Sequence, residues 1–282
     1  MLRKAYAKIN LGLEVVSKRE DNFHNLNTIM AMIDLYDELY FQKDSEITLE
    51  TNINIGDIGN NLVYKAAVLL KNTFNVNDGC RIVLTKNIPM QSGLAGGSSD
   101  AAVTLEALND LWKLNLSIDE LANLGAKLGS DVPFCLFKKP AILEGRGDVL
   151  KQFIDLPEIY VVLVIPNFSC STKDIFSNHV TSPNDNRFLK LINAIQSKDI
   201  NNIGKRMFND LEVTVDKIFS EEPIIKIKSK LLEFGASGAV MSGSGSTVYG
   251  ITNSFKNAQK IKNLMKKEFK NYHIITTKTN NF

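Results

Sequence analysis

The chain reads as an α+β protein of two domains with a cleft between them. Its 282 residues suit two modest domains or one large one. Strand-like and helical runs are mixed along it. The texture also changes after Pro157, where a continuous apolar strand is followed by three helical segments. These observations place the boundary near residue 155, giving an N-terminal domain 1–155 and a C-terminal domain 156–282.

The elements follow in order. Ile9, Leu11, Leu13 and Val15, then Leu39, Phe41, Ile47 and Leu49, alternate in part and predict strands within 5–16 and 29–50. Asn60 to Phe74 reads as a helix, and Arg81 to Thr85 as a strand. The helix after it places Ala101, Leu105, Leu108 and Trp112 on one face, with Ser98 or Ser99 as its N-cap. Ser117-Ile-Asp-Glu120 is a capping-box pattern, and Gly129 is the expected C-terminal glycine of that helix. Pro133 holds Val132 extended, which puts Asp131 at a helix-to-strand corner before a short strand over 134–137. Ala141 to Glu144 is a strand, and Glu144-Gly-Arg-Gly-Asp148 a turn. Tyr160 to Ile165 is a strand of the fully buried type. Helices over 187–197, 200–219 and 222–234 follow. Strands at 238–241 and 247–252, a helix over 255–269 and a strand over 273–277 close the chain.

Hydrophobic content of 44%, charged content of 23% and a net charge of +2 are those of an ordinary globular protein, with no strong pull toward nucleic acid or an anionic membrane. The Lys-rich stretch 256–270 carries Ile261, Leu264 and Met265 at helical spacing, which reads as a solvated helix face. Cys80, Cys135 and Cys170 lack metal-ligand spacing and read as reduced thiols of a cytoplasmic protein. No apolar leader is evident at the N-terminus, and no apolar run is long enough to span a bilayer.

The most informative stretch is Pro89-Met90-Gln91-Ser92-Gly93-Leu94-Ala95-Gly96-Gly97-Ser98-Ser99-Asp100. Glycines at a strand–helix junction let backbone N–H groups converge on an anion, and the helix start adds donors and a positive dipole end. The order is not G-x-x-x-x-G-K-S/T, because no Lys follows the glycines, so the positive charge must come from elsewhere. The serine hydroxyls could donate to phosphoryl oxygens or ligate Mg²⁺. Asp100 would repel a bare anion and could instead cap the helix or neighbour a metal. Ser242-Gly243-Ser244-Gly245-Ser246 is either a second anion nest or a hairpin loop with left-handed glycines. Taken alone, Lys8 reads as an edge-strand lysine facing water, His24 as a solvated loop residue, and Phe176 as a core residue of a short helix.

Three motifs in order, Ala7-Lys-Ile-Asn-Leu11, Pro89 to Ala102 and Ser242 to Ser246, resemble the superfamily of galactokinase, homoserine kinase, mevalonate kinase and phosphomevalonate kinase. The likeness runs nearly the length of the chain. Gly96-Gly-Ser-Ser-Asp100, Gly129-Ser-Asp-Val-Pro133 and Phe23-His24 are similar to one branch of it, whose sisters more typically read Gly-Leu-Gly-Ser-Ser and lack the Phe-His element. The resemblance implies a ribosomal-protein-S5-like N-terminal domain and a ferredoxin-like C-terminal domain. It implies ATP as co-substrate with Mg²⁺. The implied reaction moves the γ-phosphoryl group to the tertiary 2-hydroxyl of 4-diphosphocytidyl-2-C-methyl-D-erythritol, in the non-mevalonate isoprenoid pathway.

Carried over residue by residue, Asp131 is the catalytic carboxylate and Lys8 its cationic companion. Residues Pro89 to Ser99 wrap the ATP phosphates, and Asn61, Leu62 and Lys86 lie near the adenine pocket. Phe23 and Phe176 sandwich the cytosine ring, His24 reads its edge, Asn10 touches the erythritol end, and Gly243 and Gly245 buttress phosphate or substrate. Phe23 stands where the family usually has Tyr, and Asn22 and Ala95 stand where it has Gly. Ala95 is harmless only if its φ is negative. The resemblance further implies a monomer or weak homodimer that binds neither nucleic acid nor membrane. Rival readings are a sister kinase acting on homoserine or a mevalonate phosphate, and an ATP-binding regulator with a dead site.

Overall fold

The computed structural model describes residues 1–181, 185–219 and 223–280. In chain order its elements are β1 (Leu2–Lys18), β2 (His24–Asp44), β3 (Ile47–Thr51), α1 (Leu62–Thr73), β4 (Gly79–Thr85), α2 (Gly96–Leu111), α3 (Ile118–Gly125), α4 (Val132–Phe137), β5 (Ala141–Glu144), β6 (Val149–Phe153) and β7 (Tyr160–Ile165). They continue with α5 (Thr172–Asn178), α6 (Arg187–Gln196), α7 (Ile200–Arg206), β8 (Phe208–Asn209), α8 (Glu212–Ile218), α9 (Pro223–Glu233), β9 (Gly238–Met241), β10 (Val248–Thr252), α10 (Phe255–Glu268) and β11 (His273–Asn280). The chain forms two compact units. The first holds Met1–Lys8, Leu35–Met90 and Ala95–Lys138, and the second holds Ile9–Asp34, Gln91–Leu94 and Lys139–Phe282.

In the first unit β2 pairs antiparallel with β4, from Glu38↔Thr85 to Asp44↔Gly79, and β3 lies parallel to β4. The connection from β3 to β4 runs through α1, which packs on α2. The expected face of α2 is the buried one: Ala101, Leu105 and Leu108 are fully buried and Trp112 nearly so. Ser117 and Glu120 form the predicted capping box at the start of α3. That helix ends at Gly125, four residues before the expected Gly129, and Gly129 instead donates its N–H to Gly125 O at 3.1 Å. A Cβ on Gly125 would meet Val132 at 2.6 Å, so the glycine belongs to the close approach of α3 and α4.

Two further expectations are corrected here. Residues 134–137 are helical, not extended, and Asp131 is the N-cap of α4 with φ −81° and ψ −11°. The restriction Pro133 places on Val132 is outweighed, because a proline in the first helical turn forfeits no intrahelical N–H bond. Neither Ser98 nor Ser99 caps α2. Ala95 does, in the left-handed region at φ 56°, so the helix begins three or four residues earlier.

In the second unit β7 lies between β10 and β11, antiparallel to both, and β9 flanks β10. Residues Val161 to Val164 are fully buried, which explains the unbroken apolar run. Helices α9 and α10 cover this sheet through Ile227, Leu231, Ile261 and Met265, packed with Val162 and Val164. The lysines of α10 at 256, 260, 266 and 267, and Lys270 just beyond it, are exposed. The helix expected over 200–219 is two, α7 and α8, interrupted where Phe208 and Asn209 pair parallel with Gly12 and Leu13 of β1. The helix expected over 222–234 is α9; Glu222 lies outside the described residues.

Candidate active site

The first unit brings Lys8 and Asp131 together. Lys8 extends from β1 with its side chain only 3% exposed, and its Nζ lies 3.6 Å from Asp131 Oδ2, whose side chain is 30% exposed. The water-facing alternative for Lys8 is thereby excluded. A buried ammonium thus backs a carboxylate that solvent, or a substrate hydroxyl, can reach. One turn beyond Asp131, the Cys135 thiol is buried, as is Ser99. Burial, and then the Asp131 charge, push that thiol far up, so it is a packed spacer rather than a nucleophile.

The start of α2 belongs to the same unit. Because Ala95 has no capping side chain, no side-chain cap bond is made to the first-turn N–H groups. Gly97 is exposed and Gly96 and Ser98 are half-buried, which leaves this helix start accessible, as an anion site requires. Asn61 caps α1, its Oδ1 accepting the Val63 N–H at 2.8 Å. Lys86 is held at the end of β4 between two carboxylates. It ion-pairs with Asp37, and its Nζ lies 2.8 Å from Asp100 Oδ2. Asp100 therefore neither caps α2 nor is open to solvent.

The second unit holds Gln91–Leu94 against the 242–246 turn. Gly93 O accepts Ser242 Oγ at 2.9 Å, and Ser92 O accepts Thr247 N at 3.1 Å. Gly93 has φ 78°, and a Cβ there would meet Ser242 O at 2.1 Å, so backbone touches backbone. Gly243 and Gly245 are at φ 56° and 85°, which satisfies the hairpin-loop geometry. Asn209 Nδ2 donates to Met241 O and Gly243 O at 2.9 and 2.7 Å.

The same unit contains the expected base-reading side chains. His24 and Phe176 have ring centroids 5.3 Å apart, tilted by 33°. Phe23 is half exposed, and the Arg146 guanidinium lies 4.9 Å from its ring centre. His24 is 5% exposed, and its Nδ1 is a buried atom without a hydrogen-bond partner among the described residues. Burial, and then the Lys18 charge, lower its pKa, which favours the neutral ring that offers one donor and one acceptor. Asn22 has φ 65°, a conformation asparagine tolerates, so the glycine it replaces is matched in backbone. Asn10 is buried, with Nδ2 donating to Thr28 Oγ1 and its carbonyl accepting from Tyr249, both at 2.8 Å.

Sequence reasoning missed Arg146, Asp37 and the role of Asp100. Arg146 was within reach of it: a lone Arg between two glycines, both at positive φ, is a presented side chain, and Asp148 holds it by two bonds of 3.0 and 2.7 Å. Asp37 gave a weaker signal, one of three acids, with Asp34 and Glu38, in a β-forming run.

Residues 61–139 match the GHMP kinases N terminal domain, and residues 191–271 match GHMP kinases C terminal. The chain is 43% identical over 274 residues to the 4-diphosphocytidyl-2-C-methyl-D-erythritol kinase of Bacillus cereus (strain B4264), covering 94% of this chain and 93% of that protein. It is 43% identical over 265 residues to the protein of that name from Thermodesulfovibrio yellowstonii, with 91% of each covered. A crystal structure of 4-(cytidine 5'-diphospho)-2C-methyl-D-erythritol kinase superposes with a TM-score of 0.84 at 29% identity, covering all of both chains. Homoserine kinase from Cytophaga hutchinsonii, at a TM-score of 0.75, 22% identity and 99% and 95% coverage, shows the shared fold. The chain belongs to the GHMP kinases, and within them to the 4-diphosphocytidyl-2-C-methyl-D-erythritol kinase family.

Proposed function

We propose that this kinase transfers the γ-phosphoryl group of ATP to the 2-hydroxyl of 4-diphosphocytidyl-2-C-methyl-D-erythritol, giving the 2-phosphate and ADP in the non-mevalonate isoprenoid pathway. The observation that carries the mechanism is the buried Lys8 ammonium 3.6 Å from the accessible Asp131 carboxylate. Asp131 accepts the hydroxyl proton as the oxygen attacks phosphorus. Lys8 supplies the positive charge that the glycine loop lacks. Phosphoryl transfer through a loose transition state asks little of the base, so positioning and electrostatics do most of the work.

Pro89 to Ser99 hold the ATP phosphates, the start of α2 offering uncapped N–H groups. No cluster of three His, Cys, Asp or Glu side chains lies together among the described residues. Mg²⁺ here would be held mainly by phosphate and water, with one or two protein oxygens; of the two serine hydroxyls, the half-buried Ser98 is the accessible one, and Ser99 is 1% exposed. When bound, Mg²⁺ neutralises charge on the phosphoryl oxygens. Asn61 and Lys86 are assigned to the adenine side and Gly243 and Gly245 to the phosphate or substrate side. Asn10 takes the erythritol end. Phe23 and Phe176 are assigned to the two faces of cytosine and His24 to its edge.

The same reading keeps residues 1–155 as an S5-like half and 156–282 as a ferredoxin-like half, with reaction in the family's cleft. It describes a cytoplasmic monomer or weak homodimer that binds neither nucleic acid nor membrane. No helix among the described residues is long and apolar enough to cross a membrane.

The test is ADP release with a panel of acceptors. The expected outcome is turnover with the cytidylyl substrate and none with homoserine or phosphomevalonate. Activity on either of those instead supports a sister kinase, and ATP binding without ADP release on any acceptor supports a regulator.

A further inference from the structure

The first unit buries three charged side chains that the phosphoryl-transfer step does not use as a set. Asp37 is fully buried on β2, Asp100 is 2% exposed on α2, and the Lys86 side chain between them is 7% exposed. Asp37 Oδ1 accepts the N–H of Asn87 at 2.5 Å and of Ile88 at 2.7 Å, and its Oδ2 takes Lys86. One carboxylate therefore fixes the backbone that leads into Pro89. Lys86 then reaches Asp100 Oδ2 at 2.8 Å, in the second turn of the helix on which the glycine stretch ends. A Cβ on Gly96 would meet Lys86 Nζ at 3.1 Å and Ile88 Cγ2 at 3.0 Å, so the lysine runs directly beneath the helix start.

Two carboxylates share one ammonium, and Asp100 Oδ1 is buried without a hydrogen-bond partner among the described residues. Burial pushes the Asp100 carboxyl up, Lys86 opposes this, and Asp37 adds to the rise. A buried ionic cluster of this kind adds little net stability, because desolvation offsets most of the attraction. Its distinctive product is geometry. We propose that Asp37, Lys86 and Asp100 form a clamp that fixes the separation of the two ends of the Pro89–Ser99 stretch, making Asp37 and Asp100 positioning residues for the ATP phosphates. The clamp acts through the backbone. Asp37 sets where the chain leaves β4, Asp100 sets where α2 begins, and the first-turn N–H groups are aimed as a result.

This inference rests on the kinase reading, and its test separates the two. Steady-state ADP release is measured with the cytidylyl substrate, and an ATP analogue with a non-hydrolysable β–γ bridge is titrated directly. In D100A the KM for ATP and the analogue Kd rise about tenfold, since misplacing a positioning group by a fraction of an ångström is felt at the phosphates. The KM for the cytidylyl substrate stays within about twofold, because its recognition groups do not depend on the clamp. D100N keeps an oxygen for Lys86 and recovers most of the loss, which a merely structural role does not predict. D37A strips an acceptor from two backbone N–H groups and could fail to fold, so the decision rests on D100A and D100S, whichever folds. An analogue Kd and ATP KM within about twofold of wild type in those variants overturn the clamp, even where the melting temperature falls. A wild-type protein that neither binds the analogue nor releases ADP overturns the kinase reading and the clamp with it.

Discussion

Lys8 and Asp131 show how much a single side-chain environment decides. A lysine 3% exposed with a carboxylate at 3.6 Å is a paired buried charge, and its place beside an accessible acid suits it to phosphoryl chemistry. Asp131→Asn removes the proton acceptor and Lys8→Ala removes the cation. Each is expected to lower turnover by at least about 100-fold while circular dichroism stays native. Near-normal turnover in either variant would refute the assignment. None of this was legible from the residues taken singly, since Lys8 reads as an edge lysine and Asp131 as a turn residue. The two residues are far apart in sequence, and only the family resemblance carried by Ala7 to Leu11 and by Gly129 to Pro133 connected them. Asp37 and Asp100 stayed out of reach for the same reason: their common partner, Lys86, is distant from Asp37 in the chain.

At the scale of elements, periodicity served well where burial is uniform along a face. Tyr160 to Ile165 and the Ala101–Trp112 face of α2 appear as read, because each meets one continuous core. It served poorly where a tertiary contact interrupts a local pattern. The residues 200–219 split because Phe208 and Asn209 leave helical conformation to pair with β1. The start of α2 was misplaced because the turn is made by an alanine in the left-handed region at φ 56°, which no serine pattern announces. Its positive φ also answers the condition set on Ala95: the substitution for glycine is strained. A left-handed alanine costs about 1–2 kcal/mol, partly offset by the lower unfolded-state entropy of alanine relative to glycine. Ala95→Gly is therefore expected to stabilise the protein by about 0.5–1 kcal/mol in denaturant unfolding. An unchanged or lower unfolding midpoint would count against the left-handed assignment.

On the scale of the molecule, Lys8 and Asp131, the pair assigned to catalysis, belong to the first unit and the aromatic side chains assigned to cytosine belong to the second. The two sets of variants should therefore separate kinetically. Phe176→Ala removes a stacking face worth roughly 1–3 kcal/mol, so the KM for the cytidylyl substrate should rise about 5- to 150-fold. Its KM for ATP should stay near the wild-type value, and Asp131→Asn should show the opposite pattern, a fall in turnover with little change in either KM. Equal effects of Phe176→Ala on both KM values would show that it serves the fold rather than the base. The final strand adds a point about biosynthesis. β11 lies between β2 and β7 of the second unit, yet it is synthesised after both of them. Until residues 273–280 emerge, β7 has no partner on that side, and its apolar run waits unsealed. A nonsense codon just before residue 273 would thus remove an interior strand. Chains truncated there should depend heavily on chaperones, because β7 keeps an unpaired apolar edge.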